Sequence, residues 1–218
     1  MKNLDKCLIS SNLEVATNLS KSFQSFFIET MELILTHTGR LKFTQMARCV
    51  RSCESRFRQN IRQSFDWLSF NRSFLESTKG HRIAIAIDPC YISKSGKKTP
   101  EIEWFWSGCA AAMKKGLEIF GIYIVDDDAK QFAGLTHCQA RNKEALSFAF
   151  NASLTSVNLA RAFARQQGMV LSVGSTKTLL HNAAMVDRFI AMSGKSPNMR
   201  LNNTDFKGLL FYGVRAAV

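Results

Sequence analysis

Residues 82–100 read RIAIAIDPCYISKSGKKTP, and the apolar run that passes into Asp88 decides how the fold is read. The nearly unbroken β-formers predict a buried strand over 82–88, and the Ser, Lys and Gly of 93–100 predict an exposed loop after it. A carboxylate that closes a strand is well placed to ligate a metal ion at a sheet edge. Aspartate also closes turns without any such role, so the local pattern leaves both readings open. Metal-dependent phosphoryl chemistry needs more than one carboxylate, and the meaning of Asp88 therefore depends on the rest of the chain.

Outward from this strand, residues 102–106 and 117–125 read as two more strands, with Lys114, Lys115 and Gly116 turning between them. The middle strand of the three is expected to separate the outer two, which sets Asp88 and Asp126 at one edge, about 10 Å apart. On either side the period lengthens to that of a helix. Residues 13–37 place Leu19, Phe23, Phe26, Phe27, Leu33 and Ile34 on one broad face, with Gly39 as the stop. Short helical segments follow over 40–70, with Ser52 as an N-cap, and 79–81 form a hinge. Beyond the strands, 144–165, 177–193 and 205–217 read as helices, the second with Leu179, Leu180, Met185, Phe189 and Ile190 on its apolar side. The expected fold class is mixed α/β, a three-stranded sheet flanked by helical regions. Its expected division is a helical basic segment over 1–79, the sheet over 80–127 and a helical region over 128–218.

The chain has 218 residues, enough for a substantial core, and 46% of them are hydrophobic, as in ordinary globular proteins. Twenty-nine Lys and Arg against 17 Asp and Glu give a net charge of +12. Such an excess favours a polyanionic partner, nucleic acid before an anionic membrane surface. No stretch approaches the ~18 consecutive apolar residues of a membrane span, and the first residues lack a signal-peptide core. The six scattered cysteines read as reduced thiols of a cytoplasmic protein. Cys49 and Cys53 lack the second pair that a zinc site needs.

Basic residues concentrate over 40–62. Arg48, Arg51, Arg56, Arg58 and Arg62 have only Glu54 and Asp66 as nearby acids. Guanidinium groups on short helices suit phosphate oxygens, which they bind bidentately, so DNA contact is favoured over a merely solvated face. Lys94, Lys97 and Lys98 of the loop join this DNA-binding set.

The run IAIDPCYISKSGKKTPEIEWFWSGCAAAMKKGLEIFGIYIVD resembles the first catalytic segment of insertion-sequence transposases of the DDE class, whose core is ribonuclease-H-like. A second block, DAKQFAGLTHCQARNKEALSFAFNASLTSVNLARA, resembles the segment just after that family's catalytic glutamate, and RFRQNIRQSFDWLSFNRSF resembles its helical DNA-binding lead-in. The resemblance covers nearly the whole chain. It implies Asp88 as a catalytic metal ligand, Mg²⁺ as cofactor, the element ends as DNA partner and a bacterial, nucleoid-associated location. It also implies association with itself or with full-length transposase.

The departure from the family is as informative as the match. Its second Asp and its Glu lie on a long stretch between the two blocks, and here GIYIVD runs straight into DAKQF. Asp126, Asp127 and Asp128 at the junction read as a solvated turn, and Glu118 lies too early in its strand to substitute. The resemblance thus implies a transposase-family chain with an internal deletion, catalytically defective, and with its apolar strand 82–88 left at a sheet edge. The alternatives are a non-catalytic DNA-binding regulator of the parent element and an unstable pseudogene product.

Overall fold

The computed structural model describes residues 2–13, 19–37, 41–72, 74, 84–94, 100–107, 110–125, 142–194 and 204–215. Five helices come first: α1 (Lys2–Leu13), α2 (Lys21–Thr36), α3 (Phe43–Cys49), α4 (Glu54–Asn60) and α5 (Trp67–Arg72). Three strands follow, β1 (Ala84–Ser93), β2 (Glu103–Ser107) and β3 (Ala112–Val125). The chain then returns to helix in α6 (Lys143–Gln166), α7 (Val173–Ser193) and α8 (Thr204–Leu210). The mixed α/β class is therefore present in a predominantly helical form.

The core is organised by α2. Ser20 starts this helix by accepting a hydrogen bond from the Phe23 N–H at 3.2 Å, satisfying one orphan donor of the first turn. Phe23, Phe26, Phe27, Thr30 and Met31 then recur at three- and four-residue spacing, and all are buried. The helix stops at Thr36, because His37 already has an extended backbone. Against this stripe pack residues from both ends of the sequence. Ile9 and Leu13 come from α1, Phe148, Leu159 and Phe163 from α6, Leu179 and Leu180 from α7, and Leu210 from α8. The described helices before and after the strands thus share one hydrophobic core. Aromatic rings fill its centre: Phe27 lies 4.5 Å from Phe65, 5.5 Å from Trp67 and 5.0 Å from Phe70 between ring centroids.

The long C-terminal helices are defined by their caps. Asn142 Oδ1 accepts from Ala145 N–H at 2.9 Å to start α6, and Glu144 in the first turn complements the helix dipole. Ser172 caps α7 in the same way at 3.1 Å, so that helix begins before the expected residue 177. Gly194, with φ of 66°, ends it in the left-handed conformation that glycine adopts without strain. Only the first half of α7 is covered. Leu179, Leu180 and Ala183 are buried, whereas Met185 and Phe189, expected on the apolar side, are exposed.

The sheet corrects the expected topology. Its order is β1-β3-β2, with β3 in the centre and antiparallel to both neighbours. At 14 residues β3 is long enough to serve both: Gly116–Val125 pairs with β1, and Ala112–Gly116 pairs with β2. The ten residues of β1 pair with ten of β3, from Gly116 to Val125, whereas β2 has five residues to offer. Lys114, Lys115 and Gly116 lie inside β3 rather than in a turn; β2 ends at Ser107 and β3 begins at Ala112. Gly116 stands opposite both Ser93 and Glu103, where the two edge strands converge.

β1 is an edge strand, and its bounds are also corrected. It does not end at Asp88 but continues through Pro89 to Ser93. An edge tolerates proline, which has no N–H to give to a ladder. Where β2 and β3 pair alone, Trp104, Trp106, Met113, Lys114 and Lys115 are all exposed.

Candidate functional site

α3 and α4 are seven-residue helices joined by a four-residue connection over 50–53. Met46 and Phe57 bury one side of each against the core, which turns the polar sides outward. The cap of α4 is Cys53, and Ser52 does something else: its hydroxyl donates to Glu29 Oε2 at 2.6 Å. Cys53 is exposed, and a hydrogen bond with the Ser55 hydroxyl pulls its thiol below the usual range. Among the described residues no group of three or more His, Cys, Asp or Glu side chains is placed to hold a metal ion.

The five arginines separate into two roles. Arg56 bonds to Glu29 at 3.0 Å and to the Ser22 carbonyl at 3.3 Å, and it also contacts Ser52. This half-buried network clamps α4 onto α2, leaving Arg56 little capacity for an external anion. Arg48, Arg51 and Arg62 are exposed, and their side chains make no hydrogen bond or ion pair among the described residues. Arg58 is intermediate in role. It pairs with Glu54 one turn earlier, its guanidinium carbon sits 5.1 Å from the centre of the Phe43 ring, and its side chain is still 58% exposed. An exposed pair of this kind holds a side chain weakly, so Arg58 can exchange Glu54 for a phosphate at little cost.

The loop lysines are only partly placed. Lys94 is half-buried just after β1, and its backbone N–H donates to the Lys115 carbonyl at 3.2 Å. Lys97 and Lys98 lie outside the described residues.

Asp88 pairs with Gly121 in the middle of the β1–β3 ladder, not at the end of a strand. Val125, the last residue of β3, pairs with Ala84, four residues and about 13 Å along the strand from Asp88. Asp126, expected to share an edge with Asp88, lies outside the described residues together with Asp127 and Asp128. Glu118 is exposed in the interior of β3, opposite Tyr91.

One basic residue next to this surface escaped the sequence reading. Arg188, on α7, donates from Nη2 to the carbonyl of Cys49 at 2.8 Å, which places it beside Arg48 and Arg51. Its only local signal is helical spacing with Lys177 and His181, four and eleven residues from the first of them. No helix among the described residues is long and apolar enough to cross a membrane. Comparison of the chain with protein-family models, with curated proteins and with solved structures finds no match.

Proposed function

We propose that this chain is a DNA-binding polypeptide of the DDE insertion-sequence transposase family that has lost its catalytic centre. The observation that carries the binding half is the exposed set Arg48, Arg51, Arg58 and Arg62 on α3, α4 and their flanking turns, within a chain of net charge +12. Phosphate oxygens supply the counter-charge that this surface lacks. The family assignment rests on the two sequence blocks around Asp88 and after residue 128. A ribonuclease-H-like core is the expectation that comes with the family. Here β3 lies between β1 and β2, and we attribute that departure to loss of the strands and helices that would otherwise flank β1.

Family chemistry uses carboxylate-bound Mg²⁺ to activate first water and then a 3′-hydroxyl against DNA phosphodiesters. Asp88 is the one family carboxylate with a counterpart in this chain, and a lone ligand does not assemble such a centre. The protein then acts as a ligand of the element ends, where it competes with an intact transposase as a non-catalytic regulator. The preserved arginine surface favours this regulatory role.

The test is incubation with a labelled terminal-repeat duplex and Mg²⁺, read on native and denaturing gels. The expected result is a shifted band without strand scission. Scission that disappears in Asp88→Asn overturns the inactive half of the proposal, and absence of a shift overturns the binding half.

A further inference from the structure

Trp104 and Trp106 stand open on β2, 63% and 66% exposed, although tryptophan is on average a highly buried residue. The register shows what surrounds them. Trp104 lies opposite Lys115 and Trp106 opposite Met113, and directly opposed residues project to the same face of an antiparallel pair. Lys115 and Met113 are exposed as well. Lys94 prolongs the first row across the sheet, since its N–H donates to the Lys115 carbonyl at 3.2 Å. The open part of the face ends at Leu117, two residues beyond Lys115 and buried. Two indole rings thus lie in line with two lysines at one end of the sheet.

The charge around the rings is one-sided. Glu103 and Glu118, the acids of β2 and β3, alternate onto the opposite face, and Asp88 lies about 20 Å from Lys94 along β1. A second copy of this chain would bring the same lysines and the same net charge of +12 to the contact. A polyanion with flat apolar faces satisfies both halves of the surface: nucleic-acid bases offer their π-faces to indole, and phosphates offer counter-charge to lysine. The spacing of the rings selects a single strand. Residues two apart on a strand are about 7 Å apart along it, roughly twice the 3.4 Å by which successive bases advance in a duplex. Bases that reach both rings are therefore unstacked from each other, and in a duplex the stack closes their faces.

We propose that Trp104 and Trp106 form a stacking platform for single-stranded DNA, with Lys115 and Lys94 beside its phosphates. The platform is built from residues other than the arginines of α3 and α4, and only the choice of DNA over RNA rests on the DNA-binding reading of that arginine surface.

Fluorescence anisotropy of labelled oligothymidylate tests it, using the full chain, Trp104→Ala, Trp106→Ala, Trp104→Phe and Trp104→Leu. Each alanine variant is expected to bind roughly five- to 150-fold more weakly, the range for loss of one base–aromatic stack, with Tm unchanged because both rings are exposed. Trp104→Phe keeps a π-face and should retain most of the affinity. Trp104→Leu is apolar without one and should behave like the alanine variant; wild-type affinity in Trp104→Leu overturns stacking as the mode of contact. Unchanged affinity in both alanine variants, or no binding of oligothymidylate by the wild type, overturns the platform. Tighter binding of oligouridylate than of oligothymidylate overturns the choice of DNA. Sedimentation without DNA separates the remaining case: a wild-type dimer that becomes monomeric in the alanine variants makes this face a contact between copies and overturns the platform. Duplex affinity is expected to stay the same in all four variants. Failure of the wild type to bind duplex overturns the reading of the arginine surface, while oligothymidylate decides the platform by itself.

Discussion

Phe27→Ala is expected to destabilise the protein by about 3–5 kcal/mol, the cost of deleting a buried aromatic ring and leaving a cavity. Phe27 is fully buried on α2, and its ring is in contact distance of Phe65, Trp67 and Phe70, with Phe23 and Phe148 at 6.3 and 6.5 Å. Those neighbours come from α2, from the α4–α5 segment and from α6, so collapse around the void would require three elements to move together. For a chain of this length the change lowers Tm by roughly 10 °C. A circular-dichroism melt measures it, and the wild type should show one cooperative transition because helices from both ends of the sequence share the core. A broad, non-cooperative wild-type melt would instead support the reading of the chain as an unstable pseudogene product.

Replacing Arg48, Arg51, Arg58 and Arg62 together by alanine is expected to reduce duplex affinity about a thousandfold at 0.1 M salt. Four phosphate contacts give a slope near −3.6, and at 0.1 M that term amounts to a factor of roughly 10³ to 10⁴. All four residues are exposed, so the fold should tolerate the change; Arg58 gives up only its surface pair with Glu54 and its contact with Phe43. Arg56→Ala should behave in the opposite way. It removes the clamp to Glu29 and leaves that half-buried carboxylate with the Ser52 hydroxyl but no counter-charge, so it costs stability by about 1–3 kcal/mol with little direct effect on the phosphate count. A quadruple variant that binds as tightly as wild type would remove α3 and α4 from the interface.

The sequence made the elements legible far better than their partners. Phenylalanines at helical spacing located α2, and β-formers located all three strands. Lys114, Lys115 and Gly116 read as a turn because two lysines and a glycine have the composition of a loop, and Lys114 and Lys115, successive residues of a strand, are exposed on its opposite faces. Strand order was hidden because it depends on the matched lengths of β1 and β3, a property of the pair rather than of either segment. Asp88 read as a strand terminus because the apolar run passes there into a carboxylate with a polar loop beyond, yet β1 continues through Pro89, which a sheet edge tolerates. The start of α7 was missed because Val173, Gly174, Ser175 and Thr176 are weak helix formers, held by the Ser172 cap. Within the site, the arginines were visible as a group. Their division was not, since Glu29 lies 27 residues from Arg56, and Arg188 reaches α3 from 139 residues away. Contacts over such separations leave no trace in local periodicity.

The most direct measurement of the central claim is the salt dependence of wild-type binding to a labelled duplex, followed by anisotropy between 50 and 200 mM salt. The account predicts a linear log–log plot with a slope near −3.6, from the four exposed arginines, and roughly a hundredfold or greater loss of affinity across that range. A slope near zero, or no binding at 50 mM, would contradict it.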